Sequence, residues 1–455
     1  MTKRLKKKIL RYWYGGMVAL WLMAVPFPGL TEDLTLSSAV DAALSNNPQL
    51  QAARYGVLSS REKTLQARSG AIPQVQVSEQ FSHTTNPMWA FGTRLNQQSI
   101  TAKDFAPDRL NDPDGITNYA SVLSVAWPVY DSGQTWYGVQ QARLNQESAL
   151  ASEDRARQQV TAGTIIAYIQ VLLARENHQV LHQLLKTAGS HLKLIQSRYN
   201  GGFVAKSDLL RAQVHIADLE QQILEAQSQT DIARCNLNIA MGIGTDIYYT
   251  LVSPLEPGNP VSGSLDSWIS AALSNRPDLK QMNLQQQIAE KEIDKSRSLQ
   301  YPSVNLAGNY EINSEDFENT GANYTIGAIV SVPLFTGGRI SAKIREATIN
   351  LKQTQTMLRA MGQQVCGETR QAFFNAQSAW NRIRVARAAI GQSEESLRIV
   401  RNRYQNGLFT ISDLLDAEVM VQQSLTRHLK AIHDYKAAVT RLYLAAGTIE
   451  QYQKP

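Results

Sequence analysis

Cysteine is scarce: Cys235 and Cys366 are the two in 455 residues. That excludes a disulfide framework. No cysteine follows the opening segment closely, so a lipid-attachment site there is excluded as well. Long apolar runs are also missing. Outside residues 17–25 nothing approaches 18 consecutive apolar residues, so any membrane crossing by the rest of the chain is not helical. Acidic residues are absent from residues 1–30, where Lys3, Arg4, Lys6, Lys7, Lys8 and Arg11 supply six cations. Without them the formal charge of +6 falls to about neutral, which removes the case for a basic nucleic-acid surface. A cationic start followed by a short apolar stretch reads as a secretory signal over 1–30. Proline is absent from residues 134–198 and 339–403, which leaves room for two very long helices.

What is present is a duplication. Residues 36–50 return as 265–279 with nine of fifteen positions identical, at an offset of 229. Further on the offset is 205: Trp127-Pro128-Val129-Tyr130 matches Val332-Pro333-Leu334-Phe335, and Ser207-Asp208-Leu209-Leu210 matches Ser412-Asp413-Leu414-Leu415. The unit of about 200 residues is far longer than a solenoid repeat. The reading is a first repeat over 31–242, a Gly/Pro-rich linker over 243–264, a second repeat over 265–447 and a tail over 448–455.

Each repeat has the same grammar. A helix (36–69 and 265–299) is broken near Pro48 and Pro277 and stopped by Pro73 and Pro302. Two alternating stretches follow, near 73–84 and 117–130 and again near 302–313 and 323–335. In the clearest of them Val304, Leu306, Tyr310 and Ile312 share one face and Asn305, Asn309 and Glu311 the other. Strands of this length, with one apolar and one polar face, suit a water-filled membrane barrel. Four strands cannot close one, so the edges must pair with other copies; two copies would give eight strands and three would give twelve. Then come the proline-free helices, on the order of 100 Å long. Their lower parts carry heptads: Leu181, Leu185, Ala188, Leu192, Ile195 and Tyr199, then Ala386, Ile390, Ser393, Leu397, Val400 and Tyr404. After a glycine turn the chain returns, with Ser207 and Ser412 expected as N-caps. The return and opening helices together match the long helix in length, so they are expected to stack end to end beside it. On that stacking Cys235 and Cys366 lie at different heights, roughly 13 Å apart, and do not pair. The first repeat holds 24 extra residues between its strands, an insertion within 84–117 expected at the outer mouth of the barrel.

Catalytic, cofactor and metal signatures are lacking. His178 and His182 stand at i, i+4 without a third ligand nearby, and Gly337-Gly338 is not followed by the Lys-Ser/Thr of a phosphate loop. The chain is read as a non-enzyme without cofactor.

Three signatures, each present twice and in the same order, carry a resemblance: Ala-Leu-Ser-Asn-x-Pro-x-Leu from Ala43 and Ala272; the strand-to-helix segment at Val332-Pro333-Leu334-Phe335-Thr336-Gly337-Gly338; and Arg-Tyr-x-x-Gly from Arg198 and Arg403 with Ser-Asp-Leu-Leu beyond. Together they resemble the TolC family of outer-membrane efflux proteins. The resemblance implies a mainly α fold with a small β part. In it, a homotrimer joins four strands per chain into a twelve-stranded β-barrel among outer-membrane lipid, and antiparallel coiled coils form a periplasmic α-barrel. It implies an exit duct that works with a periplasmic adaptor and an inner-membrane RND or ABC transporter. By family position, Asp413 and Asp416 match acidic rings of the closed periplasmic entrance, and Tyr404 with Asp208 matches a pair that bonds between neighbouring coils. Arg198, Gly202, Phe203, Arg403, Gly407 and Leu408 fall at the adaptor-binding tip. One departure is Phe409, where the best-known member has a basic residue. The alternative is an envelope-anchored structural coiled coil or adhesin, which needs neither duplicated hairpins nor two-sided strands.

Overall fold

A computed structural model of the protein describes residues 33–452. The secretory segment read at 1–30 lies outside the described residues. The elements in order are β1 (Asp33–Leu34), α1 (Leu36–Asn46), α2 (Pro48–Ser69), β2 (Gln74–Thr84), α3 (Pro87–Asn96), a 3-10 turn (Ala102–Phe105), α4 (Pro107–Asn111), β3 (Ile116–Tyr130), α5 (Gln134–Asn200) and α6 (Lys206–Met241). The second repeat follows with β4 (Thr250–Leu251), α7 (Leu265–Asn275), α8 (Pro277–Ser298), β5 (Ser303–Ser314), β6 (Thr320–Ser331), α9 (Arg339–Gln405), α10 (Ile411–Ala445) and α11 (Ile449–Tyr452).

The two proline-free stretches are single helices of 67 residues each. Each starts behind a left-handed glycine, Gly133 or Gly338, that turns the chain out of the sheet. The seam of the first coil is as expected: Leu181, Ala188, Leu219 and Ala226 are buried together, with Leu185, Ile216 and Ile223 against them. A larger core lies further up, where Ile165, Tyr168 and Leu172 of α5 meet Ala376 and Ala379 of α9, Leu237 of α6 and Leu442 of α10. No helix among the described residues is long and apolar enough to cross a membrane.

Short helices do stack end to end, and the two repeats make the joint differently. In the first, Asn47 accepts from the amides of Gln49 and Leu50 and donates to Ala240 O, so it caps α2 and the end of α6 at once. Gly242 faces it at φ +72°, and a Cβ there would stand 2.5 Å from Asn46 O. In the second, the position of Asn47 is held by Arg276, whose side chain is 4% exposed. Its guanidinium reaches Asp278 and Glu368, each at 2.6 Å. The end of α10 is capped instead from α5, where Arg155 donates to Leu444 O and Gln158 to Gly447 O. Burial pushes the Asp278 and Glu368 carboxyls up, but the bonds from Arg276 outweigh it and hold both below their usual values.

The four long strands form one antiparallel sheet in the order β2-β3-β5-β6. Register puts Val77 opposite Leu123, Leu123 opposite Tyr310 and Tyr310 opposite Tyr324. That row belongs to an exposed apolar face: Val77 is 75% and Ile326 79% exposed. The opposite face carries Gln76, Ser78, Ser124, Asn309 and Thr325. β6 ends at Ser331, before Val332 and Leu334, because Pro333 has no amide to donate to the ladder.

Two segments read as loops contain structure. The linker carries β4, which pairs in parallel with β1. The insertion carries α3 and α4, each with proline at its first turn behind Asn86 and Ala106. It folds onto the polar face of the sheet: Gln97 donates to Thr117 O and Asn118 Oδ1, and Asn118 donates to Asn313 Oδ1. The insertion also lies against Gly321, where any Cβ would come 2.2 Å from Asn96 O. Cys235 and Cys366 are free thiols.

Two outcomes follow from this packing. Arg276→Met should cost about 1–2 kcal/mol in unfolding free energy, because it removes a guanidinium shared by two carboxylates while Asp278 keeps Arg155 at 3.6 Å and Glu368 is 40% exposed. The wild-type stabilisation is present above the usual carboxylate range and is lost as pH falls through the lowered Asp278 and Glu368 values. The gap between variant and wild type in denaturant titrations should therefore narrow below about pH 4. Gly321→Val should dislodge the insertion, seen as faster proteolysis within 87–111 of the purified protein while the rest of the chain stays resistant.

Candidate functional site

The lower end of the molecule is built by two near-identical turns. Gly202 at φ +77° and Gly407 at φ +75° take the left-handed conformation, so Phe203 N–H donates to Arg198 O and Leu408 N–H to Arg403 O. The reversals leave Phe203 83% and Leu408 72% exposed at the extreme tip. Above them one apolar cluster takes residues from four helices: Ile195 of α5, Leu209 and Ala212 of α6, Tyr404 of α9, and Ile411 and Leu414 of α10. The two hairpins of a single chain are thus sealed to each other at the tip.

Arg198 ties the hairpins across that cluster. Its Nη1 donates to Tyr404 O at 3.2 Å and its Nη2 to Gln405 O at 2.5 Å, satisfying carbonyls in the last turn of α9. Its guanidinium carbon stands 5.5 Å from the centre of the Tyr404 ring. Arg403 sits over Phe409 at 5.4 Å, and Phe409 packs against the apolar cluster. The position that departs from the family pattern therefore serves as packing. Arg211 of α6 donates to Ser412 Oγ of α10, a second link between the hairpins.

Each sequence-derived gate residue has a definite place. Tyr404 is buried, and its hydroxyl has no hydrogen-bond partner among the described residues. Burial pushes the phenol up, Arg198 pulls it down and Asp208 pushes it up again, so Asp208 stands close enough to act on it without bonding. Asp413 is exposed and occupies the third position of a capping box: Thr410 N–H and Oγ1 donate to its Oδ2, and Thr410 Oγ1 accepts from Asp413 N–H. Those Thr410 bonds lower its carboxyl. Asp416 is exposed one turn on. The expected caps are corrected: α10 is capped by Thr410 rather than Ser412, and α6 starts behind Ala205 with no side-chain cap rather than at Ser207. Thr410 wins because its extended backbone places the hydroxyl on the amide three residues ahead, whereas Ser412 already lies inside the helix.

His178 and His182 face each other with Nε2 atoms 3.2 Å apart, and no group of three or more His, Cys, Asp or Glu among the described residues is set to hold a metal. Sequence reasoning missed Glu418. It is buried on α10 between His191 of α5 and His215 of α6, partners so distant in sequence that no local spacing signals them.

Comparison with known proteins gives this geometry its context. The model of a family described as "Outer membrane efflux protein" matches residues 39–243 and 268–448. The chain is 25% identical over 448 residues to the alkaline protease secretion protein AprF of Pseudomonas aeruginosa, covering 95% of this chain and 89% of that one. It is 24% identical over 435 residues to the proteases secretion protein PrtF of Dickeya chrysanthemi, covering 93% and 90%. Its fold is similar to the Campylobacter jejuni CmeC outer membrane channel, with a TM-score of 0.75, 19% identity and coverage of 91% and 86%.

Removing a buried hydroxyl that lacks a partner should be neutral or favourable. Tyr404→Phe is expected to hold or raise the local stability of the isolated protomer's tip by up to about 1 kcal/mol, read by hydrogen exchange at the amides of 400–415. Arg198→Ala should lower it by about 1–2 kcal/mol in the same measurement. A loss above 1 kcal/mol in Tyr404→Phe would mean that the hydroxyl is already bonded within the chain.

Proposed function

The chain belongs to the outer membrane efflux protein family, and from that membership we propose a trimeric exit duct, open at the cell surface and shut at its periplasmic tip. The observation that carries the reading is the pairing of two unlike ends on one chain. At one end is a sheet with an exposed apolar face, a polar face and two free edges. At the other, about 100 Å of helix away, four helices converge on one sealed tip. Three copies would join β6 of one to β2 of the next, give twelve strands and turn the polar faces inward around a water-filled lumen. The duct has no chemistry of its own. An inner-membrane RND or ABC transporter supplies the energy, and a periplasmic adaptor grips the exposed Phe203 and Leu408 with the flanking Arg198, Arg403, Gly202 and Gly407. The relatives AprF and PrtF are named for protease secretion. That favours a polypeptide as cargo, with an ABC transporter as the pump.

In the trimer Asp413 and Asp416 occur three times each around the tip opening. Like charges gathered around a narrow opening attract cations. The gate then has two kinds of contact: acidic rings that select what passes, and the Tyr404 hydroxyl, which needs a carboxylate such as Asp208 to satisfy it. The insertion over the polar face narrows the outer mouth.

In planar bilayers the purified protein should show a low, cation-selective conductance blocked from the tip side by trivalent metal ions. Asp413→Ala with Asp416→Ala should abolish the block while trimers still assemble; a block that survives reduces these residues to helix-start charges. Protease added to intact cells should cut within 84–117, and cleavage only after the envelope is opened would invert the topology.

A further inference from the structure

Two turns up from the tip, a charged layer interrupts the apolar seam. Glu418 of α10 is 6% exposed. His191 Nδ1 of α5 bonds its Oε1, and His215 Nε2 of α6 stands 3.3 Å from its Oε2. The histidine side chains are themselves only 14% and 13% exposed. One carboxylate from the second hairpin therefore meets both helices of the first, through a hydrogen bond with His191 and at ion-pair distance alone from His215, since Oε2 has no hydrogen-bond partner among the described residues. The cluster lies between the tip core around Ile195 and Leu209 and the lower seam around Ala188 and Leu219. The duplication supplies no counterpart. At the offset of 205, His191, His215 and Glu418 correspond to Ser396, Met420 and Gln213. A device present once per protomer, and spanning the two hairpins, acts on their relative position rather than on either hairpin alone.

We propose that Glu418, His191 and His215 form a protonation-dependent clasp that holds the α9/α10 hairpin against the α5/α6 hairpin and keeps the tip shut. The inference rests on the exit-duct reading and assigns a regulator to its gate. A buried carboxylate is costly unless paired with positive charge. Burial pushes the Glu418 carboxyl up, but the two histidines outweigh it and hold it at about 2, so it is ionised throughout the working range. The compensating charge comes from imidazolium, the side-chain type whose charge changes nearest neutral pH. Among the described residues no lysine or arginine pairs with Glu418. Arg211 on α6 is bonded to Ser412, Arg398 on α9 is held by Glu395, and Asp416 on α10 is exposed. The signs are opposite for the two partners. The contribution of the glutamate is present above its ordinary 4.5 and is lost only as pH falls toward about 2. Imidazolium is the charged form and exists at the lower pH, so its attraction to the carboxylate is present there and absent once the rings are neutral. The clasp is tightest in mildly acidic medium and relaxes in alkaline medium.

The test is the open probability of the purified full-length protein in planar bilayers at pH 6 and pH 8.5. Wild type should open about tenfold more at pH 8.5. Glu418→Gln, and separately His191→Asn with His215→Asn, should already open at pH 6 to the wild-type level of pH 8.5 and show a flat profile. The clasp is overturned if wild type does not respond to pH or if both variants keep its profile. Tyr404→Phe with Asp208→Ala serves as the control: if it conducts while the clasp variants match wild type, the duct stands and the clasp falls. If no preparation conducts at all, the duct reading fails and takes the clasp with it. Retention of the heat-labile oligomer on gels checks assembly. If Glu418→Gln alone fails to assemble, the profile of the histidine variant decides.

Discussion

The free edges of the four-stranded sheet govern the rest of the molecule. A backbone amide or carbonyl left unpaired in hydrocarbon costs several kcal/mol, and a sheet in the order β2-β3-β5-β6 exposes two whole rows of them. The apolar face confirms which solvent it meets: Val77 and Ile326 are three-quarters exposed and have no place in water as a contiguous patch. Such a sheet is stable in a membrane only when other copies complete it. The duplicated architecture then has a simple logic, since each repeat contributes one hairpin of strands to the same sheet and one hairpin of helices to the body beneath it.

The helical part solves a different problem, the orphan groups at helix ends. Four short helices abut in mid-wall, and each abutment buries termini that would otherwise need water. Asn47 satisfies one joint with a single amide side chain. The other joint takes Arg276, Asp278 and Glu368, with Arg155 and Gln158 reaching in from α5. The two repeats thus place a neutral cap and an ionic one at equivalent positions. At the tip the same need is met by Arg198, which covers the last carbonyls of α9 while its planar group lies near Tyr404.

Much of this was legible in the sequence because it is written in local signals. Proline breaks at Pro48 and Pro277, proline-free runs ending at glycine turns, and period-two strands all state their own positions, and the elements lie there. The heptad seam was legible for the same reason. What escaped depends on contacts between distant segments or on fine backbone geometry. The cap at Thr410 rather than Ser412 turns on two residues of register. The helices of the insertion carried signals, Asn86-Pro87 and Ala106-Pro107, that the length of the segment obscured. The parallel pairing of β1 with β4 and the meeting of Glu418 with two histidines have no local signature at all.

The equal length of α5 and α9, 67 residues each, acts as a ruler. One residue added to a helix turns every later side chain by about 100° and lifts it by about 1.5 Å. An insertion in α5 alone would rotate its seam off α6, misalign the joint at Asn47 and leave its tip at a different height from that of α9. Four limbs would have to change together to restore the match. A difference in chain length is accommodated where the ruler does not reach, such as the segment between β2 and β3, where the first repeat holds 24 residues more than the second. The same segment is where an engineered epitope or binding loop would be carried at least structural cost, and the helices are where it would not.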